Sequence, residues 1–180
     1  SDEFKFIEDI NIKVIEVKNM IEDFNEVYIK NGNIPNLNNP FKINLFNTFH
    51  SYIEPKNFFP RKHSLIKDDR GAFSEILKSS SKGQVSFSIT NPGHTRGNHF
   101  HTRKIERFSV IEGEAEINIK KIGSNKRCSF NLSGKRPCYV DMQVWYTHNI
   151  KNIGDTNLIT LFWINEFYNE NDSDTFFEKV

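Results

Sequence analysis

The sequence has little of what defines several large classes of protein. It contains only two cysteines among 180 residues, too few for a scaffold built on disulfides, and we expect both thiols to be reduced. Its longest apolar runs, such as residues 158–164, have the length of a strand and are too short to span a bilayer. Lysine and arginine number 24 against 23 aspartate and glutamate, which favours neither nucleic acid nor an anionic membrane as a partner. Without a signal peptide in view, we expect a cytoplasmic globular protein.

The first fifty residues have the apolar spacing of helices. Between Asn11 and Lys30 the apolar residues recur at three- and four-residue steps, namely Val14, Val17, Ile21, Phe24 and Tyr28. Asn39 and Pro40 can then cap and start a second helix. Its predicted apolar face consists of Phe41, Leu45, Phe49 and Tyr52. Because a helix pair buries little by itself, we expect its apolar faces to be covered by other parts of the protein or by a partner.

After Pro55 the sequence changes to short apolar runs separated by turn residues. The predicted strands are Gln84–Ile89, Arg107–Ile111, Ala115–Lys120, Arg127–Leu132, Tyr139–Asp141 and Leu158–Ile164. Ala115, Ile117 and Ile119 alternate with polar residues, which predicts one buried and one wet face. We therefore predict a mainly β domain over residues 56–180, preceded by a helical segment over residues 1–55.

One stretch of the predicted β domain carries the spacing of metal ligands. From Gly93 to Gly113 the sequence fits G-x5-H-x-H-x4-E-x6-G and brings His99, His101 and Glu106 close together. Two histidines separated by one residue share a face of a strand. A fourth ligand, His148, stands in a second pattern, H-x3-N. Three imidazoles and a carboxylate predict a divalent transition-metal site, with Zn²⁺ as the first choice and iron, manganese, cobalt or nickel also suited. The alternative is a polar barrel mouth that binds no metal.

The two patterns together resemble the signature of the cupins, which are jelly-roll β-barrels. Cupins usually have P-x-G shortly before the last histidine, whereas Gln143-Val144-Trp145 occupies that place here. With its flanks the sequence resembles more narrowly the C-terminal cupin of CapF-type bifunctional capsular-polysaccharide enzymes. The segments that carry this resemblance are Asp69-Arg70-Gly71, Gly83-Gln84-Val85-Ser86, residues 92–101, Thr147-His148-Asn149-Ile150 and residues 162–166. Residues 34–36 and 49–52 resemble the tail of the short-chain reductase domain that precedes the cupin in that family.

The resemblance implies an isomerase. In the family the cupin epimerises C3 of a UDP-linked 4-keto sugar on the route to UDP-N-acetyl-L-fucosamine, and the reductase then reduces C4 with NADPH. Only the first activity is expected here, because the chain has neither a glycine-rich dinucleotide fingerprint nor a Tyr-x-x-x-Lys pair. The chain is then the cupin part of a longer enzyme, or a free-standing cupin with a vestigial linker. A homodimer through the cupin is the usual arrangement of such domains. The alternatives are a nucleotide-sugar 3,4-ketoisomerase and a non-catalytic module that dimerises the parent enzyme.

The catalytic and substrate-binding residues have to be other groups if the four predicted ligands bind metal. Epimerisation beside a ketone requires a base, an acid and stabilisation of the enolate, and our candidates for the proton carriers are Tyr146, Lys104 and His94. Our candidates for substrate binding are Arg96 and Arg70, whose guanidinium groups suit a pyrophosphate, and Gln84, which faces either the lumen or solvent. In a metal-free mechanism, as in the RmlC-like epimerases that the sequence also resembles, His99 would be the base and Tyr146 the donor.

Overall fold

The computed structural model describes residues 11–180, and the chain divides into two compact units between Phe59 and Pro60. The described part of the first unit is helical. Its elements are α1 (Val14–Phe24), a π-helical continuation (Asn25–Lys30), α2 (Pro40–Ser51) and the short α3 (Pro55–Phe58). None of the helices within residues 11–180 has the length and apolar character needed to cross a membrane.

The helical unit is held by aromatic contacts between α1 and α2. Phe24 is only 1% exposed, and its ring centroid lies 5.1 Å from that of Phe46 and 5.8 Å from that of Phe49. The predicted cap is confirmed, since the Lys42 amide donates to Asn39 Oδ1 at 2.9 Å. The predicted face was wrong in part. Phe46 packs against α1, whereas Tyr52 is 87% exposed, because α2 has apolar residues on more than one side and spacing alone did not select the buried one.

The second unit consists of short strands, and the mainly β prediction is confirmed. The strands are β1 (Ile66–Asp68), β2 (Gly71–Lys78), β3 (Gln84–Thr90), β4 (Thr95–Phe100), β5 (Glu106–Glu112), β6 (Glu114–Lys121), β7 (Arg127–Ser133), β8 (Tyr139–Met142), β9 (Tyr146–Asn152), β10 (Leu158–Ile164) and β11 (Phe176–Phe177). A 3₁₀ turn, Glu170–Asp172, precedes β11. The strands form two antiparallel sheets with the orders β1-β2-β3-β10-β5-β8 and β11-β4-β9-β6-β7. The strands β1, β2, β4, β9 and β11 were not among the predicted strands, because β1 and β11 are very short and polar residues interrupt the apolar runs of the other three.

The interior of this unit is apolar on one side and polar on another. The apolar cluster draws on both sheets and consists of Phe108, Val110, Ala115, Ile117, Leu132, Met142, Ile150 and Leu158. On β3, however, the residues that alternate inward are all polar. Gln84, Ser86, Ser88 and Thr90 are each at most 2% exposed. Thr90 pairs with Leu158 of the core, which places this polar row on the inner face of its sheet. The unit therefore encloses a polar wall, where a site for a polar ligand can form.

Candidate metal centre

The strand pair β4 and β9 positions two of the predicted ligands. His99 on β4 lies opposite His148 on β9, and opposed residues of an antiparallel pair project to the same face. The register shifts between Gly97 and His99, where Asn98 has a φ of 61°. Such a bulge re-aims the next side chain. Gly97 itself cannot carry a side chain, since a Cβ there would lie 2.6 Å from the His148 carbonyl oxygen.

The other two predicted ligands come from the segment that follows β4. His101 stands just beyond the strand, and Glu106 is the first residue of β5. The structure brings all four side chains together, with one donor atom of each of His99, His101, Glu106 and His148 within 4.8 Å of the others. Glu106 Oε2 lies 3.0 Å from His148 Nε2 and 3.4 Å from His101 Nε2. Ligands of a tetrahedral zinc ion at about 2.0–2.1 Å stand roughly 3.3 Å from one another, so these separations fit a shared cation.

Three donor atoms of this cluster are buried and have no hydrogen-bond partner. His101 is 3% exposed and His148 is fully buried. Even so, His101 Nε2, His148 Nε2 and Glu106 Oε2 make no hydrogen bond of acceptable geometry. Leaving a buried polar atom unpaired costs about 1–3 kcal/mol, so three of them facing one point need a common partner. Imidazole nitrogen and carboxylate oxygen are donors that Zn²⁺ and similar ions accept. The cluster can therefore hold a divalent metal ion.

The electrostatics of the cluster favour the protonation states that metal binding requires at His99 and Glu106, whereas at His101 they favour the proton that a metal ion would displace. Burial lowers the pKa of His99 to about 4, and the charges of the neighbouring histidines act in the same direction. Burial alone would raise the pKa of Glu106, but the close approach of the His101 and His148 imidazoles outweighs it and holds this pKa below its usual range. The pKa of His101 is raised, because the effect of Glu106 and of the Asp174 carbonyl exceeds that of burial. A neutral His99 beside an ionised Glu106 is a ligand pair ready for a cation.

Main-chain carbonyl groups orient two of the imidazoles. His101 Nδ1 lies 2.5 Å from the Asp174 carbonyl oxygen, and His148 Nδ1 lies 3.3 Å from that of Tyr146. A carbonyl only accepts, so each Nδ1 carries the proton and Nε2 keeps its lone pair for a metal. Asp174 is a residue that the sequence analysis missed. Burial would raise its pKa, but hydrogen bonds from the Thr102 hydroxyl and from the main-chain N–H groups of residues 102–104 lower it to about 2.

The predicted proton carriers are placed very differently from one another. Tyr146 is half-buried on β9, two residues from His148 and thus on the same face of the strand. Lys104 is 2% exposed, and its ammonium group donates to the Ser173 carbonyl oxygen at 2.5 Å. His94 precedes β4, five residues before His99 and about 16 Å away along an extended chain. The structure thus places Tyr146 on the strand face that carries His148, bonds Lys104 to the C-terminal segment, and leaves His94 at the opposite end of β4.

The predicted substrate-binding residues all have partners within the chain. Arg96 Nε donates to Thr90 Oγ1 at 3.0 Å, and burial lowers the pKa of this guanidinium despite the nearby Asp68 carboxylate. Arg70 forms an ion pair with Asp68 at 2.5 Å, while 44% of its side chain stays exposed. Gln84 faces the lumen and is 2% exposed. Of these residues, Arg70 keeps the most surface for a ligand.

A further carboxylate belongs to the polar wall. Glu75 on β2 lies opposite Ser86 on β3, and its Oε1 accepts a 2.9 Å hydrogen bond from Gln84 Nε2. Ser86 in turn shares its face with Phe162 and Phe108 across the sheet. The Phe108 ring lies 5.8 Å from that of His148, so Glu75 and the histidine cluster line the same interior. The sequence analysis missed Glu75 because it did not predict β2.

Fold and site together define a cupin-type barrel with a candidate metal centre in its interior, and comparisons with known proteins place this fold in a family. The family model of the polysaccharide biosynthesis C-terminal domain matches residues 66–176. A UDP-2-acetamido-2,6-beta-L-arabino-hexul-4-ose reductase of Pseudomonas aeruginosa is 33% identical over 132 residues, which cover 73% of this chain and 35% of that protein. The spore coat polysaccharide biosynthesis protein SpsL of Bacillus subtilis is 22% identical over 123 residues, covering 63% of this chain and 80% of that protein.

Solved structures extend the similarity to the helical unit. Two crystal structures of the capsular polysaccharide assembling protein CapF of Staphylococcus aureus are each 36% identical, with TM-scores of 0.82 and 0.84. The matches cover 92% and 94% of this chain, but only 44% and 49% of those chains. The chain thus spans less than half the length of CapF and of the Pseudomonas reductase. It belongs to the polysaccharide biosynthesis C-terminal domain family, and the resemblance to CapF-type cupins is confirmed.

Proposed function

We propose that this chain is a metal-dependent epimerase domain that inverts C3 of a UDP-linked 2-acetamido-2,6-dideoxy-4-hexulose in surface-polysaccharide biosynthesis. The observation that carries the proposal is the convergence of three buried, unpaired donor atoms, His101 Nε2, Glu106 Oε2 and His148 Nε2. Two relatives support the substrate class. One is named a reductase of a UDP-linked 4-ketose, and the other is a capsular polysaccharide assembling protein.

The chemistry needs three things from the site. A hydrogen on C3 beside the C4 ketone is acidic enough to be removed once the developing enolate is stabilised. A divalent ion such as Zn²⁺, held by His99, His101, Glu106 and His148, would supply Lewis acidity toward the carbonyl oxygen. Proton removal and return then fall to other groups of the interior. Tyr146 shares the His148 face of β9 and Glu75 lies on the polar wall, so these two are the acid–base candidates that we retain.

Binding of the nucleotide requires cationic groups, and Arg70 and Arg96 both lie near Thr90, at one end of the polar wall. Arg70 has 44% of its side chain exposed, and its guanidinium could exchange the Asp68 carboxylate for a pyrophosphate oxygen without breaking buried contacts. Arg96 is less free to do so, because it donates to Thr90 and to two main-chain carbonyl groups. We therefore assign phosphate binding first to Arg70 and keep Arg96 as the residue that supports it through their shared partner Asp68.

The test is exchange of the C3 hydrogen. The protein is incubated with the UDP-linked 4-keto sugar in deuterated water, and product NMR follows deuterium at C3 and the position of the carbonyl. Epimerisation predicts deuterium at C3 with the ketone still at C4, and a ketone at C3 would instead show a 3,4-ketoisomerase. Tyr146→Phe should slow exchange by roughly 10²-fold or more while leaving bound metal unchanged. If the wild-type protein leaves C3 unlabelled, it is not an epimerase.

A second candidate function is a non-catalytic module in which the metal stabilises the barrel. It is favoured by the nature of the cluster, since all four donors are protein side chains, and sites closed by four protein ligands are commonly structural. This candidate predicts no labelling at C3, together with a fall in melting temperature when the metal is removed. Elemental analysis of the purified protein separates both candidates from the metal-free mechanism, in which His99 is the base.

We also propose a homodimer, and a reductase domain as the partner of the helical unit. The outer face of the larger sheet is apolar over two paired strands, with Val85, Phe87 and Ile89 opposite Trp163, Leu161 and Ile159. Trp163 is 41% exposed, so a second copy has an apolar surface to cover. Light scattering at micromolar concentration should give twice the chain mass, and a monomer would contradict the dimer.

The match covers more than nine-tenths of this chain but under half of CapF. This coverage supports the proposal that the helices are the end of a preceding reductase domain.

A further inference from the structure

We propose that Asp174 is the positioning residue of the candidate metal centre, holding His101 with its main-chain carbonyl and the segment between His101 and Glu106 with its carboxylate. This role rests on the proposed metal site. The contact between the two residues spans 73 positions in the sequence, from His101 to Asp174. The arrangement makes the C-terminal segment, residues 173–177, a part of the site.

The first contact fixes the tautomer and direction of one ligand. The Asp174 carbonyl oxygen lies 2.5 Å from His101 Nδ1. Because that oxygen can only accept, the proton resides on Nδ1, and Nε2 is left as the atom that faces Glu106 Oε2 at 3.4 Å. His101 follows the end of β4 and has no strand partner of its own. The Asp174 carbonyl therefore supplies the orientation that a strand supplies to His148.

The second contact fixes the segment that joins two ligands. The Asp174 carboxylate accepts hydrogen bonds from the main-chain N–H groups of Thr102 at 3.1 Å, Arg103 at 2.9 Å and Lys104 at 3.1 Å. The Thr102 hydroxyl also donates to it at 2.5 Å. These three residues lie between His101 and Glu106 and belong to no strand. One carboxylate thus replaces the ladder of hydrogen bonds that an extended strand would provide, and it sets the distance between two ligands.

The backbone at Asp174 is shaped for this double contact. Its φ is 43°, in the left-handed region where aspartate and asparagine are tolerated better than other side chains. The residue is 5% exposed. Lys104 Nζ donates to the Ser173 carbonyl oxygen at 2.5 Å, and β11 pairs with β4 immediately afterwards, with Phe177 opposite His99. The segment is therefore fastened on both sides of Asp174, and a change at this side chain acts on an otherwise anchored backbone.

The first experiment measures metal affinity directly. Metal-free protein is titrated with Zn²⁺ in competition with a chromophoric chelator, for the unsubstituted chain, Asp174→Ala, Asp174→Asn and the control Asp172→Asn. Both variants keep the main-chain carbonyl that bonds His101 and alter only the carboxylate that holds residues 102–104. Loss of an outer contact of a metal site typically weakens binding about 10–100-fold, and we expect the lower end of that range for both Asp174 variants. Asp172 reaches only the Arg103 side chain and is 65% exposed, so Asp172→Asn should retain the wild-type affinity. Wild-type affinity in Asp174→Ala would overturn the proposal.

The second experiment needs no metal and separates a local role from a failure to fold. In metal-free protein, amide hydrogen exchange at Thr102, Arg103 and Lys104 should be roughly tenfold faster or more in Asp174→Asn, while the amides of β6 and β9 keep their rates. Long-range ¹⁵N–¹H NMR should show His101 protonated on Nδ1 in the wild-type protein. Unchanged exchange in this segment would overturn the proposal. If the wild-type protein binds no zinc, the metal centre of the proposed function fails, and the exchange rates alone then decide the role of Asp174.

Discussion

The four candidate ligands form two pairs that the fold holds by different means. His99 and His148 lie opposite each other on paired strands, so the spacing of the sheet sets their separation. His101 and Glu106 flank a segment without strand structure, and residues near the C-terminus hold that segment through Asp174. The strand-held pair is defined by contacts that every antiparallel sheet makes. The segment-held pair depends in addition on Asp174, which is far away in the sequence, although Glu106 also pairs with Ile164 and Met142 of neighbouring strands.

The two pairs also differ in whether their arrangement is lost by unfolding of the whole barrel or by local opening of one segment. Strand-held ligands are fixed by the cooperative barrel, and they are expected to keep their positions until the barrel unfolds. The segment between His101 and Glu106 can lose its arrangement locally, because residues 102–105 lie outside the strands. Ile105 is 43% exposed, and its main-chain N–H is bonded to the Asn165 side chain. We therefore expect substitutions at the strand-held pair to affect both stability and metal binding, whereas those at the segment-held pair affect mainly metal binding.

The largest expected effect is that of removing a strand-held ligand. His148→Ala deletes a fully buried ring, leaves Glu106 Oε2 without its 3.0 Å neighbour, and should abolish stoichiometric metal binding. The cavity and the unpaired carboxylate should also destabilise the metal-free protein by about 2–4 kcal/mol. Elemental analysis and urea unfolding measure the two effects. His94→Ala, at the other end of β4, is the control and should bind metal as the wild type does. Retained metal in His148→Ala would remove His148 from the ligand set.

An effect on stability alone is expected where the two strands come closest. A Cβ at Gly97 would lie 2.6 Å from the His148 carbonyl oxygen, and the φ of this residue is 97°. Gly97→Ala should therefore cost about 2–5 kcal/mol, from the left-handed backbone and the displaced strand together. Gly93→Ala is the matched control, since its φ is 77° but no atom lies within 4 Å of the added Cβ, and it should cost about 1 kcal/mol. Equal unfolding free energies for the two variants would show that close contact between β4 and β9 does not matter.

The same comparison explains what the sequence could and could not reveal. The candidate ligands His99, His101, Glu106 and His148 were predicted from two short motifs, because motif spacing is a local property of the sequence. The strands β3, β5, β6, β7, β8 and β10 were predicted from short apolar runs between turn residues, which are also local. Asp174 and Glu75 were missed, since both act through partners that are distant in sequence, and neither lies in a pattern of its own. The buried side of α2 was missed for a related reason, because Phe46 was selected by its contact with α1.

The smallest expected effect tests whether the outer face of β9 is independent of the site. Asn149 is next to His148 in sequence but projects to the opposite face. Its side chain donates to Asn98 Oδ1 at 2.9 Å and accepts from Asn118 Nδ2 at 3.2 Å. Asn149→Ala removes both bonds and should cost about 1 kcal/mol in unfolding free energy. Zinc affinity should change far less than the roughly tenfold loss expected for a group bonded to a ligand. A tenfold loss would mean that the contact with Asn98 holds the bulge that aims His99, and the strand-held pair would then also depend on a side chain outside the interior.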